Sequence, residues 1–577
     1  MSKDMPTSSL RVSLGQASHA GPKARNQDFH GALIPDGRAL RLKGVTVALA
    51  DGISTSEVSH VAAETAVKAL LSDYYATPDA WTVKTAASRV IAATNAWLHA
   101  QTSLAGIGEA DRGHVCTLAA VIVKARTAHL FHVGDSRIWR VSGGTLEPLT
   151  TDHSVTLGGQ TMLTRGMGVE HRVEIDYSAV PLAPGDVLLL TTDGVHGFWN
   201  ARKVAAWIAA SDDLDATATQ VIEAALAAGS DDNLTVQILR IEALPAPDAT
   251  GFEEEVARLA IPPLPREGEL LDGYRILRPL HGNNRSHIFL ATAPDGQKVV
   301  LKIPASDTAQ DPAALRRFLM EEWVARRVSS PHLLGAPPEL PERSGLYTVF
   351  DYVPGTSLRQ WMHDNPAPTL DAVRGILDQV IRGLRALHRR EMLHQDLRPE
   401  NIMIDPHGTV KIIDFGSTHV AGVQEAAPGL DEGILGTLQY TAPEYFSGER
   451  VNWSAELFSL GVIAYEMLTG RLPYGTEVSK VTSPRDRARL RYRPAAGGKT
   501  PVPDWVDEAL RRATHPDPTR RHAAMSEFIA DLRRPSVSFQ NRTRRPLVER
   551  NPLRFWQLAT VFFALTTLAL AAFLHLQ

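Results

Sequence analysis

Four acidic signatures stand where the chain enters or leaves apolar runs. Asp51-Gly52 follows VTVALA (45–50), Gly134-Asp135 follows AHLFHV (128–133), Asp193-Gly194 follows DVLLLTT (186–192), and Asp231-Asp232-Asn233 precedes LTVQILRI (234–241). The runs read as strands, and in an antiparallel sheet their acid-bearing ends can meet on one side. Clustered carboxylates repel one another unless hard cations sit among them. Oxygen-only ligation suits Mg²⁺ or Mn²⁺ rather than zinc, and two such ions about 3.5–4 Å apart support in-line displacement at phosphorus by water. Arg25, in Arg25-Asn26-Gln27-Asp28, offers the forked guanidinium that phosphate oxygens require.

A second constellation lies further along. His394-Gln395-Asp396-Leu397-Arg398-Pro399-Glu400-Asn401 is followed by Asp414-Phe415-Gly416 and then by Ala442-Pro443-Glu444. Upstream, Lys302 lies in the strand-like run VVLKI (299–303) and Glu321 in a helix predicted around 312–328. Phosphoryl transfer needs little covalent help and mostly needs charge placed in order. A lysine must hold the α/β-phosphates and a carboxylate must orient it. Two oxygen ligands must hold Mg²⁺, and one acid must accept the hydroxyl proton. The chain supplies each part in that order.

The elements that position these residues fall into two blocks. The chain has 577 residues, 44% hydrophobic and 21% charged, which excludes wholesale disorder. A net charge of −4 argues against a dedicated nucleic-acid binder. One cysteine, Cys116, permits no internal disulfide, and with His132 it reads as packing within a strand. The polar N-terminal stretch MSKDMPTSSL contains no secretory h-region. A proline-rich linker is expected at 244–270 and a basic segment at 536–553, with Arg542, Arg544, Arg545 and Arg550. From Phe555 to Gln577 there is no Asp, Glu, Lys or Arg, and 23 residues at about 1.5 Å each span a hydrocarbon core of about 30 Å. This reads as a single-pass tail anchor (554–577) with the preceding residues cytoplasmic, since basic flanks stay inside.

On RNQD (25–28), ALADG (48–52), the run CTLAAVIV (116–123), HVGDSR (132–137), LTRGMG (163–168), LLTTDG (189–194) and DDNLTV (231–236), residues 10–243 resemble the metal-dependent type 2C protein serine/threonine phosphatases. The resemblance implies an α-β-β-α sandwich. In it Asp51 bridges two Mn²⁺ or Mg²⁺ ions, Gly52 lends its carbonyl, and Asp193 and Asp232 complete the pair. Asp135 belongs to a third site and Arg25 holds the phosphate. The family often has glutamate where this chain has Gln27, and some members carry a histidine where Ile53-Ser54-Thr55-Ser56 stands.

The second constellation resembles the eukaryotic-like protein serine/threonine kinases over residues 271–535, which implies a bilobal fold using ATP and Mg²⁺. By that resemblance Lys302 pairs with Glu321, Asp396 is the catalytic base, Asn401 and Asp414 bind Mg²⁺, and Arg398 lies near the γ-phosphate. Phe350 backs the nucleotide pocket, Asp351-Tyr352-Val353 forms the hinge, and Glu444 pairs with Arg520. Where glycines cover the phosphates in the family, this chain has His281, Asn283 and Ser286. Glu456 stands where aspartate is usual, and Gln395 replaces the arginine that reads activation-loop phosphate. The expectation is a multidomain α+β chain, bacterial and held at the inner membrane, that phosphorylates and dephosphorylates protein serine and threonine. The alternatives are a phosphatase regulated by a nucleotide-binding pseudokinase and a membrane scaffold for phosphoproteins.

Overall fold

In a computed structural model the described residues are 9–105, 112–157, 160–246, 259–283, 285–305, 308, 311–338, 343–427, 439–446, 449, 451–481, 483–495, 501–542 and 552–575. Two five-stranded antiparallel sheets form the first block. One runs β1 (Arg11–His19), β12 (Leu234–Ala243), β11 (Val187–Thr191), β6 (Arg137–Ser142), β7 (Thr145–Pro148). The other runs β10 (Asp176–Pro181), β5 (Thr127–Val133), β4 (Leu118–Lys124), β3 (Val45–Ala50), β2 (Phe29–Leu33). A small hairpin, β8 (Ser154–Leu157) with β9 (Gln160–Leu163), stands apart.

The period-2 alternation of strands explains why the inner strands are apolar throughout. Along β4, Ala119, Val121 and Val123 face the other sheet with Val47, Leu190 and Leu239. Leu118, Ala120 and Ile122 face outward under the helices Ser59–Ala76 and Val83–Leu104. The helices Ala201–Ala210 and Leu214–Ala227 cover the opposite sheet through Val204, Ile208, Val221 and Ile222. The result is the expected α-β-β-α sandwich.

The second block has a small sheet, β13 (Leu270–Leu271), β14 (Tyr274–Gly282), β15 (Ser286–Thr292), β16 (Lys298–Pro304) and β17 (Thr348–Asp351), all antiparallel. The helix Pro312–Arg327 packs beside it, started by Asp311, whose carboxylate accepts from the amides of Ala313 and Ala314. Below it, the helix Leu370–His388 buries Val373, Leu377, Val380, Leu384 and Leu387 at helical spacing. The helix Trp453–Thr469 is buried on nearly every side, which places it at the centre of this larger lobe.

Part of the stretch expected as linker packs on the second block. Residues 247–258 and most of the basic segment lie outside the described residues. Ala260 accepts from the amide of Leu346 at 2.8 Å, and Ile261 packs on the small sheet's core. At the other end, Pro552–His575 is one helix, and over Pro552–Ala572 it is long and apolar enough to cross a membrane, with a mean hydropathy of 1.7 and no burial against the remainder of the protein.

Candidate active sites

Asp51 leaves the end of β3, and its amide donates to Thr117 Oγ1 at 2.9 Å while its carbonyl accepts from Thr117 N at 2.8 Å. Asp193 begins a one-turn helix directly after β11. Both next residues are glycines for a steric reason. A Cβ on Gly52 would sit 2.9 Å from Gln27 O, and one on Gly194 would sit 2.2 Å from Asn233 O.

The sandwich brings the expected acids together and adds one. Asp28 lies 7% exposed between the sheets, with Oδ2 accepting from Thr235 Oγ1 (2.6 Å) and Thr192 Oγ1 (3.1 Å). Its carboxyl is within hydrogen-bond reach of Asp51, and Asp51 is likewise within reach of Asp193. Burial, then Asp28, Asp193, Asp135 and Asp232, push the Asp51 pKa well above the ordinary carboxylate range. Burial and Asp193 raise both Asp28 and Asp135 to about 7. Asp193 is raised by burial and by Asp232, which meets Lys23 at 3.5 Å on the rim.

This set fits divalent cations. Every donor is oxygen, the carboxyls crowd one another, and the buried Asp28 Oδ1 has no hydrogen-bond donor. The Arg25 guanidinium lies 3.4 Å from Glu57 O and 3.3 Å from His60 Nδ1, beside the loop that follows Gly52. Gln27 donates through Nε2 to Ser56 O and Ser59 Oγ, both at 2.6 Å, so it ties down the loop after Gly52. A separate cluster, His132, His153 and Asp176, already contains a fixed positive charge. Arg165 reaches Asp176 at 2.7 Å and lies 3.1 Å from His153 Nε2.

In the second block Lys302, on β16, meets Glu321 Oε2 at 2.6 Å. Burial opposes the ammonium, but Glu321 and Asp414 outweigh it and hold the Lys302 pKa above its usual range. For Asp414 burial acts upward, and Lys302, His394 and the Gly416 amide overcome it to hold the carboxylate low. Asn401 Nδ2 donates to Asp396 at both the backbone oxygen (2.8 Å) and Oδ2 (3.0 Å). Glu456 accepts from His394 N and pairs with His388, so the extra methylene keeps the brace beneath the catalytic loop. Arg398 is bonded to Glu400 at 2.8 Å and is near enough to stabilise the Asp414 charge.

A cavity of about 450 Å³ lies between the lobes, lined by Lys302, Glu321, Phe350, Val353, Asn401 and Asp414 among others. Its roof differs from a glycine-rich loop. Asn283 Oδ1 accepts from the amides of Arg285 and Ser286, both at 2.9 Å, and closes the β14–β15 turn on itself.

One expected pair is displaced by a residue. Glu444 is bound by Arg521, at 2.6 and 2.7 Å, with the Arg521 side chain fully buried. Arg520 ends the short turn Pro518–Arg520 and is 72% exposed. Of two adjacent arginines, only backbone direction decides which points inward. The stretch His419–Gly436 is described only as far as Ala427, so Thr437 also lies outside the described residues.

Residues 15–229 match the family model for protein phosphatase 2C, and residues 282–530 match that for the protein kinase domain. The chain is 27% identical over 268 residues to the serine/threonine-protein kinase PrkC of Bacillus subtilis, covering 46% of this chain and 41% of that protein. It is 31% identical over 251 residues to the probable serine/threonine-protein kinase PknB of Bifidobacterium longum, covering 41% and 36%. The chain thus spans less than half the length of these relatives. The catalytic domain of the serine threonine protein phosphatase PstP, solved with two manganese ions, is similar at 25% identity and a TM-score of 0.34, over 41% of this chain and 100% of that one.

Proposed function

We propose, for a chain that carries a protein phosphatase 2C domain and after it a protein kinase domain, a membrane-tethered bifunctional signalling enzyme acting on protein serine and threonine. What carries this reading is that one chain holds both the Asp28–Asp51–Asp193 carboxyl contact and the Lys302–Glu321 ion pair beside Asp414.

In the first domain Asp51, Asp193, Asp232 and the Gly52 carbonyl would hold two Mn²⁺ or Mg²⁺ ions, with Asp28 beneath them and Asp135 serving a third. Bound there, the cations supply the charge that acidifies water and offsets that of the phosphate. Arg25 binds the phosphoryl oxygens at the mouth and sets the ester for in-line attack. In the second domain Lys302, oriented by Glu321, holds the α/β-phosphates of ATP, and Asn401 and Asp414 would hold Mg²⁺. Asp396 takes the proton of the substrate hydroxyl, held toward it by Asn401, and Arg398 supports the γ-phosphate. Phe350 and Val353 would flank the base of the nucleotide. The helix Pro552–His575 is read as the anchor in a bacterial inner membrane, with the basic residues and both catalytic domains cytoplasmic.

The self-closed Asn283 turn favours one second reading, a pseudokinase that binds nucleotide without transferring it. The deciding experiment uses the full chain with labelled ATP and a phosphopeptide. Asp193→Asn should abolish Mn²⁺-dependent hydrolysis and leave labelling intact, and Asp396→Asn should do the reverse. Label transfer that survives Asp396→Asn, or hydrolysis that survives Asp193→Asn, would overturn the corresponding assignment.

A further inference from the structure

The segment that follows Asp414-Phe415-Gly416 is held by the other domain. The helix Ala421–Ala426 lies against the phosphatase domain where the helix Val83–Leu104 begins and where β4 ends. Gly422 N donates to Ala80 O at 2.9 Å, and its carbonyl accepts from Lys124 Nζ at 2.6 Å. Glu425 accepts from the same ammonium at 3.1 Å and from the Val83 amide at 2.8 Å. Beside it, Glu391 accepts from Thr82 N (2.7 Å) and Thr85 Oγ1 (2.7 Å), and Trp81 Nε1 donates to Arg389 O at 3.0 Å. Ala80 is counted within the hydrophobic core of the kinase lobe. The Lys124 side chain has no exposure, and both of its hydrogen bonds cross to the kinase segment. Removing either partner of such a buried pair leaves a charge uncompensated.

The docked segment is wired to the kinase centre. His419 and Val420 pair with Leu393 and Met392, the residues leading into His394 and Asp396. Arg327 closes the helix that carries Glu321 and reaches Asp79 of the phosphatase domain at 3.4 Å. One surface therefore touches both elements that a kinase must order, and the Lys302–Glu321 pair is formed with that surface in place. The middle of the segment offers phosphate no acceptor. His419 to Gly436 contains no Ser, Thr or Tyr, with Ser417, Thr418, Thr437, Tyr440 and Thr441 standing only near its ends, and the Gln395 side chain bonds Tyr445.

We propose that the phosphatase domain has a second function, as a built-in activating subunit of the kinase: its Asp79–Val83 and Lys124 surface holds the start of the activation segment, His419–Ala426, in place without phosphorylation. This rests on the kinase reading above. The test compares the full chain with Gly422→Ala and Lys124→Met. A Cβ at Gly422 would lie 2.6 Å from both Asp79 O and Trp81 O, so the methyl wedges the surfaces apart although alanine is the better helix former. Lys124→Met keeps the bulk and removes the charge from the other side. It lies at the far end of β4 from Thr117, roughly 20 Å from the carboxyl cluster.

Both variants should lose kinase transfer by at least about tenfold while Mn²⁺-dependent hydrolysis of p-nitrophenyl phosphate stays at the parental rate. Hydrogen exchange should quicken at the Thr82, Val83 and Gly422 amides. Parental transfer matched or exceeded by both variants overturns the inference alone, as does undisturbed protection of those amides. A parental chain that transfers nothing overturns the kinase reading and the inference with it.

Discussion

Asp28 and Gln27 are neighbours with opposite duties, and each duty has a measurable consequence. The folded-state pKa of Asp28 is about 7 against an ordinary 3.8. A raised carboxyl pKa means the native state binds more protons than the unfolded chain, so its contribution to stability is lost as pH rises from about 4 to about 7. Buried neutral histidines pull the other way, His132 and His196 having been lowered to about 4 by burial. The clean measure is therefore a difference between two proteins. In EDTA, Asp28→Asn should be more stable than the parent by a margin that grows between pH 5 and pH 8, to roughly a few kcal/mol. In Mn²⁺ the variant should lose hydrolysis. Thermal unfolding at the two pH values decides it, and a margin that shrinks with pH would refute the assignment. For Gln27, replacement by the glutamate common in the family sets a carboxylate against Ser56 O. We expect Gln27→Glu to lower stability by about 1–3 kcal/mol in urea denaturation rather than improve metal binding.

At the scale of elements, two short turns carry the tests. The β14–β15 turn uses its own side chain on the amides that glycine would leave open. Asn283→Gly should free them and tighten ATP binding by about threefold to tenfold, read by calorimetry; weaker binding would mean that the turn serves the nucleotide as it stands. The turn Pro518–Arg520 settles which arginine braces the helical lobe. Arg521→Ala breaks a fully buried bidentate pair and should cost about 3–5 kcal/mol. Arg520→Ala should fall within about 0.5 kcal/mol of the parent. Equal effects in denaturant would contradict the observed orientation.

For the whole molecule, the two domains and the terminal helix separate cleanly in what each should lose. Removing residues 552–577 should release the chain from membranes, with both activities retained on soluble substrates, because among the described residues no other helix is long and apolar enough to cross. Pelleting of the truncated chain in high salt would point to a second attachment. The interdomain surface makes the opposite kind of claim, since cutting between the domains should spare hydrolysis and impair transfer.

Much of this was legible in the linear order of residues. Strand-like runs ending in Asp-Gly, and lysine, glutamate, aspartate and asparagine in fixed order, are local patterns. They report pleat period, turn chemistry and the charges a phosphate reaction needs, while the sandwich and the two lobes were implied by the family resemblance that those motifs carry. What escaped was set by packing at a distance. Asp28 enters the carboxyl cluster only because β12 delivers Thr235 beside it, 207 positions away. Arg521 rather than Arg520 turns inward because a three-residue helix fixes the direction of the backbone. No local pattern marks Lys124, whose partner Glu425 lies 301 positions further on. A period of two or of 3.6 residues carries no information about such meetings, since they depend on how two separately folded surfaces come to rest on each other, and only the tertiary structure decides that.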